Sequence, residues 1–240
     1  MKKPKIVFSD FDGTLTKQGR LSPVFFDVLE LLRLNRIPLI IVTGRPLSWS
    51  HFLMTHLPIE TCITEGGGML TIRSGDRFKD VCLASDEQVS HLQRVTKRLL
   101  SEVTDLTLSD DSIGRITDRA IELEELEDFE RKKQIIQLLQ EEKINFSQSN
   151  VHLNFWSGEI SKAGAMDYYL DTQERVSKDE VIFFGDSFND ESVFEHYPHC
   201  VGVANIAHCL KDLKFKPEII LQGEGNKGIN GVRNYLKSIL

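Results

Sequence analysis

Two aspartates stand just beyond apolar runs of the kind found in buried strands. Asp10 follows Lys5–Phe8, and Asp186 follows Val181–Phe184. Thr43 follows a third such run in the same way. The carboxyl ends of parallel strands meet at one edge of a sheet, which is where ligands bind in open α/β folds. We therefore expect these three segments to converge on one site.

The expected site is rich in oxygen ligands and in negative charge. Its members stand near strand or helix ends and are Asp10, Asp12, Thr43, Lys162, Asp186, Asn189 and Asp190. Four carboxylates in one crevice would repel one another unless a cation neutralised them. An all-oxygen site with few protein ligands and room for water suits Mg²⁺. The sequence thus predicts a magnesium centre.

Such a site could hydrolyse a phosphate monoester. A carboxylate such as Asp10 can attack phosphorus and form an aspartyl-phosphate, which divides one difficult step into two. Mg²⁺ and a lysine would reduce the repulsion between two anions and stabilise charge on the equatorial oxygens. Asp12, two residues further on, could protonate the leaving alcohol and then activate the water that hydrolyses the intermediate.

Strands and helices must alternate to position these residues, and the hydrophobic pattern predicts that order. Ser22-Pro23 is a helix start, with an N-cap residue before a proline at the first helical position. A strand over Ile37–Val42, a helix over Pro46–Leu57 and a strand over Thr61–Thr64 follow. This order implies a parallel sheet covered by helices.

The middle of the chain departs from this alternation. Glu65–Gly68 predicts a hairpin into Met69–Ile72, because neither a lysine nor a helix follows the glycines as a phosphate-binding loop requires. From about Cys82 to Trp156, helices and short strands mix as in an α+β insert. We therefore predict an α/β fold, a Rossmann-like parallel-sheet core with an inserted α+β domain. Further predicted elements are helices over Asp86–Val103, Glu124–Glu142 and Ala163–Thr172 and a strand over Gly114–Leu123.

The composition argues against several classes of protein. The chain of 240 residues has 29 basic and 36 acidic residues and a net charge of −7. This charge argues against a nucleic-acid binder with a broad basic face and against polybasic membrane docking. No apolar run approaches the roughly 20 residues of a membrane-spanning helix. The cysteines lie far apart and predict reduced thiols in a cytoplasmic protein; they are Cys62, Cys82, Cys200 and Cys209.

Four ordered motifs resemble those of the haloacid dehalogenase (HAD) superfamily. They are Asp10-Phe11-Asp12-Gly13-Thr14, Thr43-Gly44-Arg45, Lys162 and Gly185-Asp186-Ser187-Phe188-Asn189-Asp190. Their spacing and the long insert resemble the subgroup with a C2-type cap. That subgroup includes Cof-type, sucrose-phosphate and trehalose-phosphate phosphatases, mannosyl-3-phosphoglycerate phosphatase and phosphomannomutase. The chain departs from many relatives at Glu65–Gly67, where Asn-Gly is common, and in its shorter stretch before Lys162.

The resemblance implies a domain division and a role for each matching residue. Residues 1–82 and 158–240 would form the catalytic core, and residues 83–157 the cap. Asp10 would be the nucleophile and a metal ligand. Asp12 would be the general acid/base and would give its backbone carbonyl to the metal. The implied substrate-binding residues are Thr43, Gly44, Arg45, Lys162 and Asn189. Asp186 would bind the metal directly, and Asp190 would bind it through the metal's water shell.

Several other residues have two interpretations. Arg45 could contact a substrate or form a salt bridge on the following helix. Trp49 and Trp156 could face a crevice between core and insert, although aromatic residues on such elements more often pack in the core. His196 and His199 have a spacing that could bind a metal from a helix, but no third ligand is evident.

The function that these residues favour is a Mg²⁺-dependent phosphatase of a small phosphorylated metabolite, with a sugar phosphate as the favoured substrate. Two alternatives remain open. A phosphomutase would return the phosphoryl group to another hydroxyl of its substrate. A phosphoacceptor module would keep Asp10 phosphorylated for a partner to recognise. Asp12 argues against the latter, because an acid/base there promotes loss of the phosphoryl group. The sequence gives neither the individual substrate nor the oligomeric state.

Overall fold

A computed structural model describes residues 3–148 and 152–240 of the chain and shows two β-sheets. In chain order, the strands are β1 (Ile6–Ser9), β2 (Leu39–Val42), β3 (Thr61–Thr64), β4 (Met69–Ser74), β5 (Arg77–Cys82), β6 (Asp118–Glu122), β7 (Asn145–Gln148), β8 (His152–Trp156), β9 (Val181–Gly185), β10 (Cys200–Gly202) and β11 (Ile219–Ile220). The larger sheet has eight strands in the order β11-β10-β9-β1-β2-β3-β4-β5. The run from β11 to β3 is parallel, and β4 and β5 add antiparallel strands at the edge.

Helices cover both faces of the larger sheet. The helices are α1 (Pro23–Asn35), α2 (Leu47–His56), α3 (Asp86–Glu102), α4 (Phe129–Glu141), α5 (Lys162–Tyr169), α6 (Glu191–His196) and α7 (Ile229–Ile239). Val7 faces the apolar cluster that includes α1, α2 and α7. Its neighbours Ile6 and Phe8 face the cluster that includes α5 and α6, because successive side chains of a strand point to opposite faces. The predicted α/β fold class is confirmed.

The predicted hairpin after β3 is also present. β4 pairs antiparallel with β3, with Thr64 opposite Met69, and β5 then pairs with β4. Glu65–Gly67 forms the connecting turn, with positive φ angles at Glu65 and at both glycines. In residues 3–148 and 152–240, no helix has the length and apolar character needed to cross a membrane.

The segment between β5 and α5 forms its own layer of two helices on a three-stranded antiparallel sheet in the order β6-β8-β7. α3 begins with a capping box, in which Ser85 and Gln88 satisfy each other's backbone N–H groups. The apolar sides of α3 and α4 pack on the sheet through residues such as Leu99, Leu139 and Phe155. This layer has the α+β composition that the sequence predicted for the insert.

Three element boundaries differ from the prediction by three residues or more, each for a local reason. The strand predicted over 114–123 begins only at Asp118. The backbone N–H groups of Ile116 and Thr117 bond to the Glu65 side chain and not to a neighbouring strand. The helix predicted over 124–142 begins at Phe129, where the Asp128 side chain accepts the Arg131 N–H as N-cap. The helix predicted over 163–172 is α-helical only to Tyr169 and ends in a π-helical turn.

Candidate active site

Three buried aspartates meet at the carboxyl edge of the larger sheet. Asp10 follows β1 and Asp186 follows β9, and these strands pair in parallel with Phe8 opposite Phe183. Asp190 joins them, and ligand oxygens of the three side chains lie within 4.8 Å of one another. The structure therefore brings together three of the four aspartates expected at this edge.

Lys162 places a positive charge between two of these carboxylates. It is the first residue of α5, where the Ser161 side chain accepts the Gly164 N–H as N-cap. Its ammonium group donates to Asp10 Oδ1 at 2.6 Å and to Asp190 Oδ1 at 2.7 Å, and its side chain is only 1% exposed. Hydrogen bonds between charged partners that water cannot reach are strong. The lysine therefore fixes the geometry of both carboxylates.

Burial shifts the ionisation of this cluster. It raises the pKa of Asp10 to about 7, with the Lys162 charge opposing the rise and the Asp190 charge adding to it. Burial and the neighbouring carboxylates also hold the pKa of Asp186 well above its usual range. For Lys162, burial alone would lower the pKa, but attraction to Asp10 and Asp190 raises it. Three carboxylates beside one ammonium group leave an excess of buried negative charge.

The donor set fits a magnesium ion. All three candidate side chains offer carboxylate oxygens, which hard divalent cations prefer, and a divalent charge would cancel the excess negative charge. Asp190 has both oxygens engaged, because Oδ2 accepts the backbone N–H groups of Asp186 at 2.9 Å and Ser187 at 3.1 Å. Each oxygen of Asp186 accepts one bond from a neutral donor, and Asp10 accepts the Lys162 bond at Oδ1, so these two side chains keep more lone pairs for direct coordination of a cation than Asp190 does.

The Asp186 carboxylate is oriented from two sides. Thr14 Oγ1 donates to its Oδ1 at 3.2 Å, and Asn205 Nδ2 donates to its Oδ2 at 2.5 Å. Asn205 also donates to the Gly13 carbonyl at 3.0 Å and accepts the Gly228 N–H at 2.9 Å. At Gly13, where φ is 85°, a Cβ would stand 2.3 Å from Asp186 Oδ2, so the close approach requires glycine. Sequence analysis missed Asn205, although it follows β10 at the same sheet edge.

Asp12 stands apart from the clustered aspartates because Arg45 binds it. The guanidinium donates from Nε to Asp12 Oδ2 at 2.7 Å and from Nη2 to Oδ1 at 3.0 Å. It also lies 3.6 Å from Asp111 of the insert and 4.6 Å from the centre of the Trp49 ring. Arg45 therefore forms a salt bridge, as one of its two interpretations predicted, but its partners Asp12 and Asp111 lie outside the following helix. Trp49 packs on Arg45.

The remaining predicted substrate-binding residues occupy the turns after β2 and β9. Thr43 is buried, and its hydroxyl accepts the Arg45 N–H at 3.1 Å. The Gly44 carbonyl accepts a hydrogen bond from Arg115 of the insert at 2.9 Å. Asn189 accepts the Ser187 hydroxyl at 2.8 Å. Of the predicted residues, Gly44, Asn189 and Lys162 line one cavity.

This cavity has a volume of about 200 Å³ and lies between the core and the insert. The insert contributes Asp118, Ser147, Asn154 and Trp156 to its wall. Asp118 is opposite Trp156 in the β6–β8 pair, and Asn154 is two residues before Trp156, so the three share one face of the small sheet. The opposite face carries the apolar core of the insert. Trp156 therefore lines the crevice, which was one of its two interpretations.

Glu65 connects the core to the insert, which sequence analysis did not anticipate. Its side chain is buried, and its Oε1 accepts the Leu47 N–H at 3.2 Å. Its Oε2 accepts the Ile116 N–H at 2.9 Å and both the N–H and the hydroxyl of Thr117, at 2.6 and 2.8 Å. One carboxylate thus satisfies donors from both layers and holds the insert against the core.

Replacing Glu65 with alanine should destabilise the protein by about 3 kcal/mol, because buried donors lose a charged acceptor. Glu65→Gln should lose less, since its carbonyl can still accept. Urea unfolding monitored by circular dichroism measures both, with Glu127→Ala on the exposed surface as the control. Equal stability of Glu65→Ala and the control would contradict this role.

His196 and His199, whose spacing could bind a metal, have other partners in the structure. His196 lies 2.8 Å from the Ser192 carbonyl, and His199 lies 3.2 Å from a Glu218 carboxylate oxygen. In the described parts of the chain, the one group able to hold a metal is the aspartate cluster. All four cysteines are free, as the sequence indicated.

Comparison with known proteins identifies the family. The model of the haloacid dehalogenase-like hydrolases matches residues 7–99 and 77–214, which is well over half of the chain. The chain belongs to this family. The expected superfamily is therefore confirmed, and with it the expectation that this HAD-like hydrolase is an enzyme.

Individual relatives are distant but cover most of the chain. A phosphoglycolate phosphatase of Methanobrevibacter smithii is 23% identical over 210 residues, which are 84% of this chain and 86% of that protein. The structure of the Synechocystis sucrose-phosphatase aligns with a TM-score of 0.74 at 16% identity, covering 99% and 98% of the two chains. The C-terminal domain of the C. albicans trehalose-6-phosphate phosphatase aligns with a TM-score of 0.71 at 13% identity, covering 100% and 93%.

Proposed function

We propose that this HAD-like hydrolase is a Mg²⁺-dependent phosphatase that hydrolyses a small phosphorylated metabolite through an aspartyl-phosphate. The observation that carries the proposal is the buried cluster in which Lys162 donates to both Asp10 and Asp190, with Asp186 beside them. This arrangement supplies a nucleophile, a cation for the phosphoryl oxygens and ligands for a divalent ion. The phosphatase names of the relatives support the same reaction class.

Each residue has a distinct role in the proposed reaction. Asp10 attacks phosphorus with one carboxylate oxygen, and the bond to the leaving oxygen breaks. Lys162 neutralises charge on the phosphoryl oxygens, and Thr43 and Asn189 hold the same group. Mg²⁺, bound by Asp10, Asp186 and the Asp12 carbonyl, would supply further positive charge at these oxygens.

Asp12 moves the protons in this scheme. It gives a proton to the leaving alcohol and then accepts one from the water that attacks the aspartyl-phosphate. The two hydrogen bonds from Arg45 fix the position of its carboxylate. We therefore assign Arg45 to positioning Asp12 in place of direct substrate contact.

The proposed division of the chain follows the two layers of the structure. Residues 1–82 and 158–240 form the catalytic core, and residues 83–157 form the cap. In this proposal the leaving group occupies the cavity between them, which is lined by Lys162 and by the small sheet of the cap. A sugar phosphate is the favoured substrate, because the cap places the hydrogen-bonding side chains of Asp118, Ser147 and Asn154 at the wall of the cavity.

A substrate panel tests this function. Purified protein should release inorganic phosphate from p-nitrophenyl phosphate and from at least one small phosphate ester, and EDTA should abolish the activity until excess Mg²⁺ is added. Isomerised hexose phosphate in place of free phosphate would support a phosphomutase. An aspartyl-phosphate that survives for minutes without phosphate release would support a phosphoacceptor module. Release that continues unchanged in EDTA would contradict the metal assignment.

Asn205 provides a test of the metal site that does not depend on turnover. Asn205→Ala should weaken Mg²⁺ binding about 10- to 100-fold, because side chains that orient metal ligands have effects of this size. Isothermal titration of the protein with MgCl₂ measures the affinity. Asn35→Ala at the end of α1 is the control. Unchanged affinity in Asn205→Ala would show that its bond to Asp186 does not support the metal.

A further inference from the structure

The wall of the cavity carries an unbalanced set of charges. Its charged residues in the described part of the chain are Glu65, Asp118, Glu191 and Lys162. Lys162 is engaged by Asp10 and Asp190 at the proposed phosphoryl site. The part of the wall that would surround a leaving group therefore offers carboxylates and, among the described lining residues, no cation to pair with an anion.

Asp118 is the acid that the small sheet presents to this space. Arg115 donates to both of its oxygens at 2.8 Å, and Asn154 donates to Oδ2 at 2.9 Å. Burial raises the pKa of Asp118 to about 6, and the Arg115 guanidinium, which binds both oxygens, opposes the rise by favouring the carboxylate form. The Arg115 side chain is fully buried and is also bound by Asp111, so it does not present a free donor to a ligand.

The same wall also has polar side chains that can hydrogen-bond to neutral groups of a ligand. Asn154 and Ser147 supply an amide and a hydroxyl at the wall, and the lone pairs of Asp118 can accept from an alcohol. Hydroxyl groups of a ligand can therefore bond to the small sheet without a charged partner.

We propose that the cavity selects phosphate esters whose leaving alcohol carries hydroxyl groups but no negative charge, with Asp118 rejecting anions and Ser147 and Asn154 binding hydroxyls. The inference rests on the proposed phosphatase function and narrows its substrate class. The volume of about 200 Å³ lies below the roughly 300–1,000 Å³ typical of drug-sized ligands, which favours a small polyol. By this reasoning, phosphoglycolate, the substrate named for the archaeal relative, is a poor substrate here, because its leaving alcohol carries a carboxylate.

A matched pair of substrates tests the proposal on the intact protein with Mg²⁺. Glycerol 3-phosphate and 3-phosphoglycerate differ in whether the far carbon is an alcohol or a carboxylate. The kcat/KM for glycerol 3-phosphate should exceed that for 3-phosphoglycerate by at least ~10-fold, because like charges in a desolvated site repel. Asp118→Asn should reduce this ratio by ~10-fold or more, and Glu130→Gln on the exposed surface of the cap should leave it unchanged.

Ser147→Ala is a second variant, and it removes only a hydroxyl from the cavity wall. It should raise KM for glycerol 3-phosphate about 3- to 10-fold, which is the effect of one hydrogen bond. Turnover of p-nitrophenyl phosphate separates the possible failures. If the aryl ester is hydrolysed but the ratio is near one or reversed, or neither member of the pair is turned over, the selectivity is wrong and the phosphatase function stands. If no ester is hydrolysed, the proposed function fails and this inference fails with it.

Discussion

The Asp10→Asn variant is expected to lose phosphatase activity by a factor on the order of 10⁴ to 10⁶, the size of the loss when other covalent enzymes lose their nucleophile. The amide has nearly the shape of the carboxylate, so Lys162 can still donate to the side-chain oxygen. The fold should be retained, because the change removes one negative charge from a buried cluster with excess negative charge. Initial rates with p-nitrophenyl phosphate and saturating Mg²⁺ measure the loss.

Asp27→Asn makes the same change on the exposed side of α1 and is the matched control. Circular dichroism of both variants establishes that the fold is intact. Hydrolysis by Asp10→Asn at close to the wild-type rate would show that another group, or water directly, attacks phosphorus. The roles proposed for Lys162 and Asp12 would then need revision.

Replacement of Lys162 with methionine is expected to have two effects. It leaves the buried carboxylates of Asp10 and Asp190 without their shared cation, which should lower the free energy of unfolding by about 3 kcal/mol. It also removes positive charge from the phosphoryl site, so kcat should fall about 10²- to 10³-fold. Urea unfolding and initial-rate kinetics measure the two effects separately.

Lys97→Met on the exposed face of α3 controls for the loss of a lysine elsewhere. A Lys162→Met protein that is folded and turns over within threefold of wild type would contradict a role at the phosphoryl group. Loss of stability with normal kcat would limit Lys162 to holding the cluster together. Loss of kcat with normal stability would show that the two carboxylates do not depend on the lysine for folding.

The sequence was sufficient to predict the sheet edge at which the chemistry lies. Asp10 and Asp186 each follow an apolar run. The parallel pairing of β1 with β9 brings them together, because the carboxyl ends of parallel strands meet at one edge of the sheet. Lys162 stands at the start of a helix, and in the sequence only its resemblance to a family motif distinguished it from a surface lysine. Its 1% exposure and its two carboxylate partners are properties of the folded chain.

Residues whose role depends on docking between the layers could not be predicted in the same way. Glu65 follows a strand and precedes glycines, so its sequence context indicates only a turn. Its partners in the insert, Ile116 and Thr117, lie 51 and 52 residues away. Arg45 likewise bonds to Asp12 and Asp111, which are separated in the chain and meet only after the insert has packed on the core. No local pattern encodes these contacts.

The helix boundaries illustrate the same limit on a smaller scale. Charge and helical spacing predicted one helix over 124–142, but the Asp128 N-cap starts the α-helix later. Capping selects one start among several that the pattern allows. Asn205 follows β10, so its position at the carboxyl end of a strand could have marked it as a site residue. A single asparagine after a short strand, however, carries little information by itself.

The most direct test of the account is to identify the atom that receives the phosphoryl group. Asp12→Asn should slow hydrolysis of the intermediate, so acid quenching of this variant during turnover of p-nitrophenyl phosphate with Mg²⁺ should trap it. Peptide mass spectrometry should then find the phosphoryl group on Asp10 and on no other residue. A quenched protein without phosphoryl label while turnover proceeds, or a label on a different side chain, would contradict the account.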